Sequence, residues 1–320
     1  MKYWLLSALL LSACAATTAA EPEELLLVGN KGEDTVSVIA LQSGEELARI
    51  ATSHGAPHEI ALSPDGSQAA VVNYADQHID IIELDSRTVA RTIDLGQSAR
   101  PHGLVWLQDG RIVVSAEGAQ AVMEVLPSGE VQTTKTDEDG THMVAVSADG
   151  KTVYTTNLGA GTVSQIDLST DTLVRTVEAG AGVEGIALTR DGSELWVSNR
   201  EANTVMVFDA ATLERLATIA VGRFPLRIIA SPDGRHMVTS NLLDGSLTVI
   251  DVDSRELTRT IPVSGGPSTQ QVTILFNADG SKIYVAETGV DMVAEVDFAA
   301  GRAGRRFKAG RQGDGLALVP

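Results

Sequence analysis

The chain has 320 residues, of which 43% are hydrophobic and 4% aromatic, and its formal net charge is −18. A chain of this length can bury a large core, and composition alone allows one to three domains. So large a negative charge argues against nucleic acid as a partner. The basic segment at 301–311 is a local exception, and its place in the repeat described below is an outer strand, where charges face water.

The first fourteen residues have the pattern of an export signal. Lys2 supplies a positive charge, a largely apolar run of nine residues extends from Tyr3 to Leu11, and small residues follow. The run is too short to span a bilayer and is typical of a signal peptide. We therefore expect residues 1–22 to be a signal peptide or tether, and residues 23–320 to form the folded domain.

The residues around the lone cysteine suggest how that signal is processed. Leu11-Ser12-Ala13-Cys14 resembles the lipobox of bacterial lipoproteins, in which the cysteine is lipidated and becomes the mature N-terminus. Because Cys14 is the only cysteine, the domain has no disulfide and no cysteine metal ligand. The alternative is ordinary cleavage after Ala20, which follows small residues. Both routes predict export to the bacterial periplasm or outer membrane, with a lipid anchor as the only membrane contact.

The dipeptide Asp-Gly recurs through the rest of the chain with a period near 40 residues. Its copies begin at Asp65, Asp109, Asp149, Asp191, Asp233 and Asp279. Each copy lies between two short apolar runs, which is typical of a β-hairpin. Two further short runs follow before the next copy, so each repeat predicts four strands. We name the strands A to D in chain order, and the Asp-Gly turn joins A to B.

The two ends of the chain supply one further repeat. Residues 315–320 match strand A, whereas Leu25–Asn30, Thr35–Ile39 and Leu47–Ile50 match strands B, C and D. The sequence therefore predicts an all-β, seven-bladed β-propeller with four antiparallel strands per blade, in which one blade is closed by the N- and C-terminal strands.

The ends of the B strands resemble the defining motif of the YVTN-repeat β-propeller family. Tyr-Thr-Thr-Asn stands at 154–157, Trp-Val-Ser-Asn at 196–199 and Val-Thr-Ser-Asn at 238–241. Glu117 and Glu287 are departures, since each places a carboxylate eight residues after the turn Asp, where other repeats have Asn. The resemblance implies a seven-bladed propeller of the bacterial cell envelope. It implies no particular activity, because propellers host hydrolases, lyases, cofactor-binding proteins and scaffolds.

One position of the repeat is rich in metal-binding side chains. Strand A is innermost in a propeller, so residues at its start line a mouth of the central channel. The residues seven positions before each turn Asp, and their counterpart in the terminal strand, are His58, His102, His142, Glu184, Leu226, Val272 and Asp314. Neutral imidazoles beside a carboxylate are a ligand set for Zn, Cu or Fe. We therefore predict a divalent transition metal bound by His58, His102, His142 and Glu184.

Other polar residues are expected at the same mouth. Glu117 shares a repeat with a predicted histidine ligand, and Asp314 belongs to the same column. Arg100 and Arg227 are expected in loops on this face, where arginines can hold an anionic ligand. These four residues are candidate ligand-binding residues.

The histidines also have a structural interpretation. They could be copies inherited from one ancestral repeat that hydrogen-bond to neighbouring backbone. His54, His78 and His236 fall outside the column and are expected at the surface or in loops.

The sequence therefore leaves the function open between two main hypotheses. The first is a monomeric envelope protein whose channel mouth binds a metal, a metal-containing cofactor, a small molecule or a partner protein. The alternative is a metal-dependent hydrolase or lyase that acts on a small molecule, with Glu184 as fourth ligand or general base. Tetrapyrrole handling, as in periplasmic propellers of the haem d1 type, is a third possibility.

Overall fold

The computed structural model describes residues 24–320, which form 28 β-strands and two short 3-10 helices, η1 (Pro267–Thr269) and η2 (Thr288–Val290). The strands pair into seven four-stranded antiparallel sheets. Within these residues, no helix has the length and apolar character that a membrane span requires. The predicted signal segment and Cys14 lie outside the described residues.

Each blade contains one strand of each type, A to D from the inside outwards. The A strands are β4 (Pro57–Leu62), β8 (Pro101–Trp106), β12 (Thr141–Val146), β16 (Val183–Leu188), β20 (Pro225–Ala230), β24 (Gln271–Phe276) and β28 (Gly313–Val319). The B strands are β1 (Leu25–Asn30), β5 (Gln68–Asn73), β9 (Ile112–Ala116), β13 (Thr152–Asn157), β17 (Glu194–Asn199), β21 (His236–Asn241) and β25 (Lys282–Glu287).

The outer half of each blade is a C–D hairpin. The C strands are β2 (Thr35–Ala40), β6 (His78–Glu83), β10 (Ala121–Val125), β14 (Thr162–Asp167), β18 (Thr204–Asp209), β22 (Ser246–Asp251) and β26 (Met292–Asp297). The D strands are β3 (Glu46–Ala51), β7 (Thr88–Asp94), β11 (Val131–Lys135), β15 (Thr172–Glu178), β19 (Arg215–Ala220), β23 (Leu257–Pro262) and β27 (Arg302–Lys308).

The two chain ends close the ring. In blade 1, the C-terminal strand β28 pairs antiparallel with β1, so its strand order is β28-β1-β2-β3. Blades 2 to 7 follow in chain order, and each A strand contacts the A strands of both neighbouring blades. The predicted seven-bladed propeller, including the blade built from both termini, is confirmed.

The hydrophobic core lies between the blades. Seven separate clusters of buried apolar residues fill the seven blade-to-blade interfaces. Trp196, for example, is fully buried against Ile228 and Met237 of the next blade. The B and C strands are apolar on both faces because each blade is covered on both sides. Burial of this apolar surface drives the blades together.

Buried asparagine side chains at the end of strand B hold the B–C turn in three of the blades. The side-chain amide of Asn157 donates hydrogen bonds to Thr162 Oγ1 at 3.0 Å and to Ser164 Oγ at 2.9 Å. Asn30 and Asn241 bond to the corresponding hydroxyls of their own blades. These residues therefore hold the turn, which is the capping role typical of asparagine.

Each A strand carries a β-bulge beside the channel. In blade 2, for example, Pro57 pairs with Asn73 and Ile60 pairs with Val71, so two A residues lie opposite one B residue. A bulge turns side chains away from the regular alternation. The second and third residues of an A strand can therefore both reach the channel.

The third residues of the A strands alternate in size around most of the ring. From blade 1 to blade 7 they are Gly315, Glu59, Gly103, Met143, Gly185, Arg227 and Thr273. A Cβ atom at Gly315 would lie 1.7 Å from the carbonyl oxygen of His58, and one at Gly185 would lie 2.4 Å from that of Leu226. The glycines therefore let neighbouring A strands approach closely.

We predict that Gly315→Ala destabilises the propeller by about 3 kcal/mol, because the new methyl group overpacks the contact with the backbone of β4. Gly304→Ala in the outer strand β27 is the matched control, since its Cβ would lie 3.6 Å from the nearest atom, an ordinary contact. Urea unfolding followed by circular dichroism measures both. Equal stabilities of the two variants would contradict the proposed close contact.

Candidate functional site

Three histidine rings lie side by side at one mouth of the channel. His58, His102 and His142 are the second residues of β4, β8 and β12, and all three are buried. The ring centroids of His58 and His102 are 4.2 Å apart, and those of His102 and His142 are 3.7 Å apart. Because blades 2, 3 and 4 are neighbours, one position of the repeat brings the three imidazoles together.

The rings of His58 and His102 each have a nitrogen without a partner. Nδ1 of each ring is buried and makes no hydrogen bond within residues 24–320. Burial lowers the pKa of His58, and burial together with the charge of His142 holds the pKa of His102 well below its ordinary value. Both rings are therefore neutral at pH 7, which is the form of imidazole that binds metal ions.

His142 has a carboxylate at each ring nitrogen. Nδ1 donates a hydrogen bond to Glu117, and Nε2 donates one to Glu184 at 3.0 Å. Burial opposes a charge on the ring, but the two hydrogen bonds outweigh it and raise the pKa of His142. His142 is therefore the histidine of the three that most readily carries a proton on both nitrogens.

Glu184 accepts hydrogen bonds from three cationic groups. Besides His142, they are Arg227 at 3.1 Å and Arg200 at 2.8 Å. Burial alone would raise the pKa of Glu184, but His142, Arg227 and Arg200 together lower it to about 2. A carboxylate with so low a pKa is a weak proton acceptor at neutral pH. The geometry therefore suits Glu184 better as a group that orients His142 than as a general base.

Arg227 is a strand residue that crosses the channel. The sequence prediction placed it in a loop, which is wrong, because it is the third residue of β20 and is buried. Its guanidinium donates to Glu59 Oε1 of blade 2 at 2.7 Å and to Glu184 Oε1 of blade 5 at 3.1 Å. Burial opposes the charge, but Glu59, Glu184 and Asp314 raise the pKa of Arg227 further. Leu226 is apolar, but Arg227 next to it places a positive charge on the same side of the channel mouth.

Asp314 is the buried carboxylate at the other end of the histidine row. It forms an ion pair with Lys31, accepts a hydrogen bond from Thr273 Oγ1 at 2.9 Å, and lies 3.5 Å from His58 Nε2. Burial would raise the pKa of Asp314, but His58, Lys31 and Arg227 lower it strongly. Asp314 is therefore ionised and already paired with Lys31.

Glu117 reaches the site because the A–B turn of blade 3 is one residue shorter than that of blade 2. In blade 2 the A-strand residue Pro57 pairs with Asn73, whereas in blade 3 Pro101 pairs with Ala116. Ala116, not Glu117, therefore occupies the asparagine position, and the sequence alignment was wrong by one residue there. Glu117 instead begins the B–C turn, where its carboxylate meets His142.

A tyrosine and an arginine lie at the outer side of these imidazoles. The hydroxyl of Tyr74 donates a hydrogen bond to Glu117 Oε2 at 2.8 Å, and its ring packs edge-on against His102 with centroids 5.3 Å apart. Arg100 is exposed, and its guanidinium lies 4.9 Å from the Tyr74 ring and 3.5 Å from Glu117. Burial, with the neighbouring Glu117, raises the pKa of Tyr74 to about 12.

The described residues offer two overlapping groups of metal-ligating atoms at the mouth. One consists of His58, Glu59 and His102, and the other of His102, Glu117 and His142, with the ligand atoms of each group within 4.8 Å of one another. Glu184 belongs to neither group. The sequence missed Glu59 and Tyr74, although Glu59 directly follows a column histidine and could have been found by allowing for the bulge.

Comparison with known proteins agrees with the fold. The profile of the YNCE-like beta-propeller family matches residues 108–231, which run from blade 3 to the A strand of blade 6. No curated protein matches the chain.

Solved propellers superimpose on most of the chain. Hydrazine synthase from Kuenenia stuttgartiensis has a TM-score of 0.75 and 18% identity, covering 86% of this chain and 92% of that one. Virginiamycin B lyase from Staphylococcus aureus has a TM-score of 0.68 and 14% identity, covering 79% and 84%. Dihydro-heme d1 dehydrogenase NirN in complex with DHE has a TM-score of 0.68 and 15% identity, covering 94% and 76%. At these identities the likeness shows the fold alone.

We predict that Arg227→Met lowers the free energy of unfolding by about 3–5 kcal/mol, because it leaves Glu59 and Glu184 with one buried cation fewer. The double variant Arg227→Met/Glu59→Gln removes one of the two carboxylate charges and should recover part of the loss. Urea unfolding at pH 7 measures both variants. If the single variant is as stable as the wild type, the pairing across the channel does not hold the site together.

Proposed function

Because this chain fits a YVTN-like family of seven-bladed β-propellers, we propose that it is a binding protein of the bacterial envelope that holds a divalent transition metal at its channel mouth. The observation that carries the proposal is the pair of neutral, buried imidazoles of His58 and His102, whose Nδ1 atoms have no hydrogen bond within residues 24–320. A buried nitrogen without a partner is costly, and a bound ion would remove that cost.

The surrounding residues fit such an ion. An ion could bind to His58 and His102 with oxygen from Glu59, or to His102 and His142 with oxygen from Glu117. Either group is a mixed donor set that suits Zn²⁺, Cu²⁺ or Fe²⁺. The predicted fourth ligand, Glu184, fits a different role. It accepts the hydrogen bond from His142 Nε2, which leaves Nδ1 directed at Glu117. A carboxylate behind a ligating histidine fixes the ring and strengthens the ligand.

The charged residues behind the imidazoles would keep this arrangement in place. Arg227 and Arg200 hold Glu184, while Lys31 and Thr273 hold Asp314. Each of these two carboxylates is thus neutralised without consuming the Nδ1 atoms of His58 and His102. Preorganisation of this kind lowers the cost of assembling a metal site.

The outer side of the mouth suggests where a further ligand would bind. Arg100 is exposed and lies over the ring of Tyr74, next to the proposed ion. A guanidinium in this position suits the carboxylate or phosphate of a small molecule, or an acidic side chain of a partner protein. The export signal predicted in residues 1–22 supports a location in the periplasm or at the outer membrane.

A metal-dependent hydrolase or lyase is the second candidate. The Tyr74 hydroxyl beside Glu117 favours it, because it places a proton-bearing group next to the proposed ion. In this case the metal would supply Lewis-acid chemistry. Against the effect of burial, His142 lowers the pKa of both Glu184 and Glu117, which disfavours either carboxylate as the base. The Tyr74 hydroxyl is therefore the stronger candidate for moving a proton.

We predict that the mature domain, purified without affinity tags or chelators, contains one equivalent of transition metal more than its His58→Asn/His102→Asn variant. Elemental analysis after exhaustive dialysis measures the difference. His236→Asn is the control, since His236 packs against Phe298, away from the channel, and should keep the full metal content. Equal metal content in wild type and double variant, also after reloading with Zn²⁺, would refute the channel site.

A further inference from the structure

A second group of imidazoles and carboxylate lies outside the channel, at the junction of blades 1 and 2. His54 lies in the segment between β3 and β4, Asp76 in the turn between β5 and β6, and His78 is the first residue of β6. The two histidine rings stack in parallel, with centroids 3.7 Å apart and 6° between their planes. The sequence analysis expected both histidines at the surface or in loops, because they fall outside the channel column.

The carboxylate of Asp76 faces both rings. Nδ1 of His54 hydrogen-bonds to Asp76 Oδ2 at 2.9 Å, and Nδ1 of His78 lies 3.4 Å from Asp76 Oδ1. The Nδ1 atom of His78 is buried and has no hydrogen-bond partner within residues 24–320. One ligand atom from each residue lies within 4.8 Å of the other two. Two nitrogens and one oxygen therefore already lie close enough together for a single metal ion to bind all three.

The charge of this cluster is not neutralised as it is in the channel. Asp94 lies 3.9 Å from His78 Nε2 and adds a second carboxylate. In the described part of the chain, neither Asp76 nor Asp94 forms an ion pair with a lysine or arginine. By contrast, Glu184 and Asp314 at the channel mouth are each paired with basic side chains. An uncompensated negative potential around two imidazoles attracts a cation.

We propose that His54, His78 and Asp76 form a second transition-metal site at the rim of the propeller. Imidazole nitrogen together with carboxylate oxygen favours Zn²⁺ or Cu²⁺ over Ca²⁺ and Mg²⁺, which prefer oxygen ligands alone. The site would replace the hydrogen bond between His54 and Asp76 with two metal–ligand bonds. Because the Nδ1 lone pairs of parallel rings do not converge, binding would tilt the rings and break their stacking.

The position of this rim site suggests what it would do. Side-chain exposure of 32% for His54, 16% for His78 and 40% for Asp76 leaves the cluster open to solvent. His54 precedes His58 by four residues, so their Cα atoms lie within about 14 Å of each other. The rim site would therefore capture an ion close to the channel mouth. The inference stands without the channel site, since the two sites share no ligand.

The test uses Zn²⁺ titration of the EDTA-treated mature domain by isothermal calorimetry, in the His58→Asn/His102→Asn background, which removes the two imidazoles on which the proposed channel site depends. One equivalent should still bind. Adding His54→Asn and His78→Asn should weaken this binding by about 100-fold or more, since two of three ligands are lost. Asp76→Asn should weaken it as well without removing a ring, and His236→Asn should leave it unchanged.

Electron paramagnetic resonance of added Cu²⁺ gives an independent readout, because it reports directly on bound nitrogen. The signal in the channel-variant background should show two nitrogen ligands and lose them in the His54→Asn/His78→Asn variant. Absence of Zn²⁺ and Cu²⁺ binding in that background would overturn the rim site, as would binding that the rim substitutions leave unchanged. Loss of binding by the rim variants alone would support it even if the channel site failed its own test.

Discussion

Neighbouring innermost strands lie so close together that their backbones touch where a glycine faces the next blade. A methyl group at Gly315 would overlap the carbonyl oxygen of His58, and Gly185 has the same relation to Leu226. This contact closes the seven blades into a narrow ring. It also sets the distance between side chains at equivalent positions of adjacent blades. At Gly103, where a Cβ would lie 2.7 Å from the backbone nitrogen of Val144, the close approach brings the ring centroids of His102 and His142 to 3.7 Å from each other. The candidate site is therefore a direct consequence of ring closure.

Within that ring, the carboxylates near the channel pair with basic side chains, and two imidazoles stay neutral. Arg227 reaches from blade 6 to Glu59 and Glu184, and Lys31 neutralises Asp314. His142, between two carboxylates, is the histidine that favours protonation. His58 and His102 are buried, and their Nδ1 atoms have no hydrogen-bond partner in the described part of the chain. Protons and a metal ion would compete for His142, so occupancy of the channel site should fall in acid.

The sequence was sufficient to predict the fold, because the Asp-Gly turn repeats at nearly constant spacing and each blade repeats the same four strands. It also located the column of His58, His102 and His142, since a repeat converts one sequence position into a ring of neighbours. It could not place Glu117, because the A–B turn of blade 3 is one residue shorter than that of blade 2 and shifts the register of strand B. Arg227 was misplaced since a bulge, which has no simple sequence pattern, turns two successive residues towards the channel.

The central claim is that the imidazoles of His58 and His102 bind a metal ion. Anomalous diffraction at the zinc edge, from crystals of the Zn²⁺-loaded mature domain, tests this claim most directly. The account predicts an anomalous peak at the channel mouth, within bonding distance of a ring nitrogen of both histidines. A map without a peak there, from crystals in which both rings are well ordered, would contradict it and leave the histidines with a structural role.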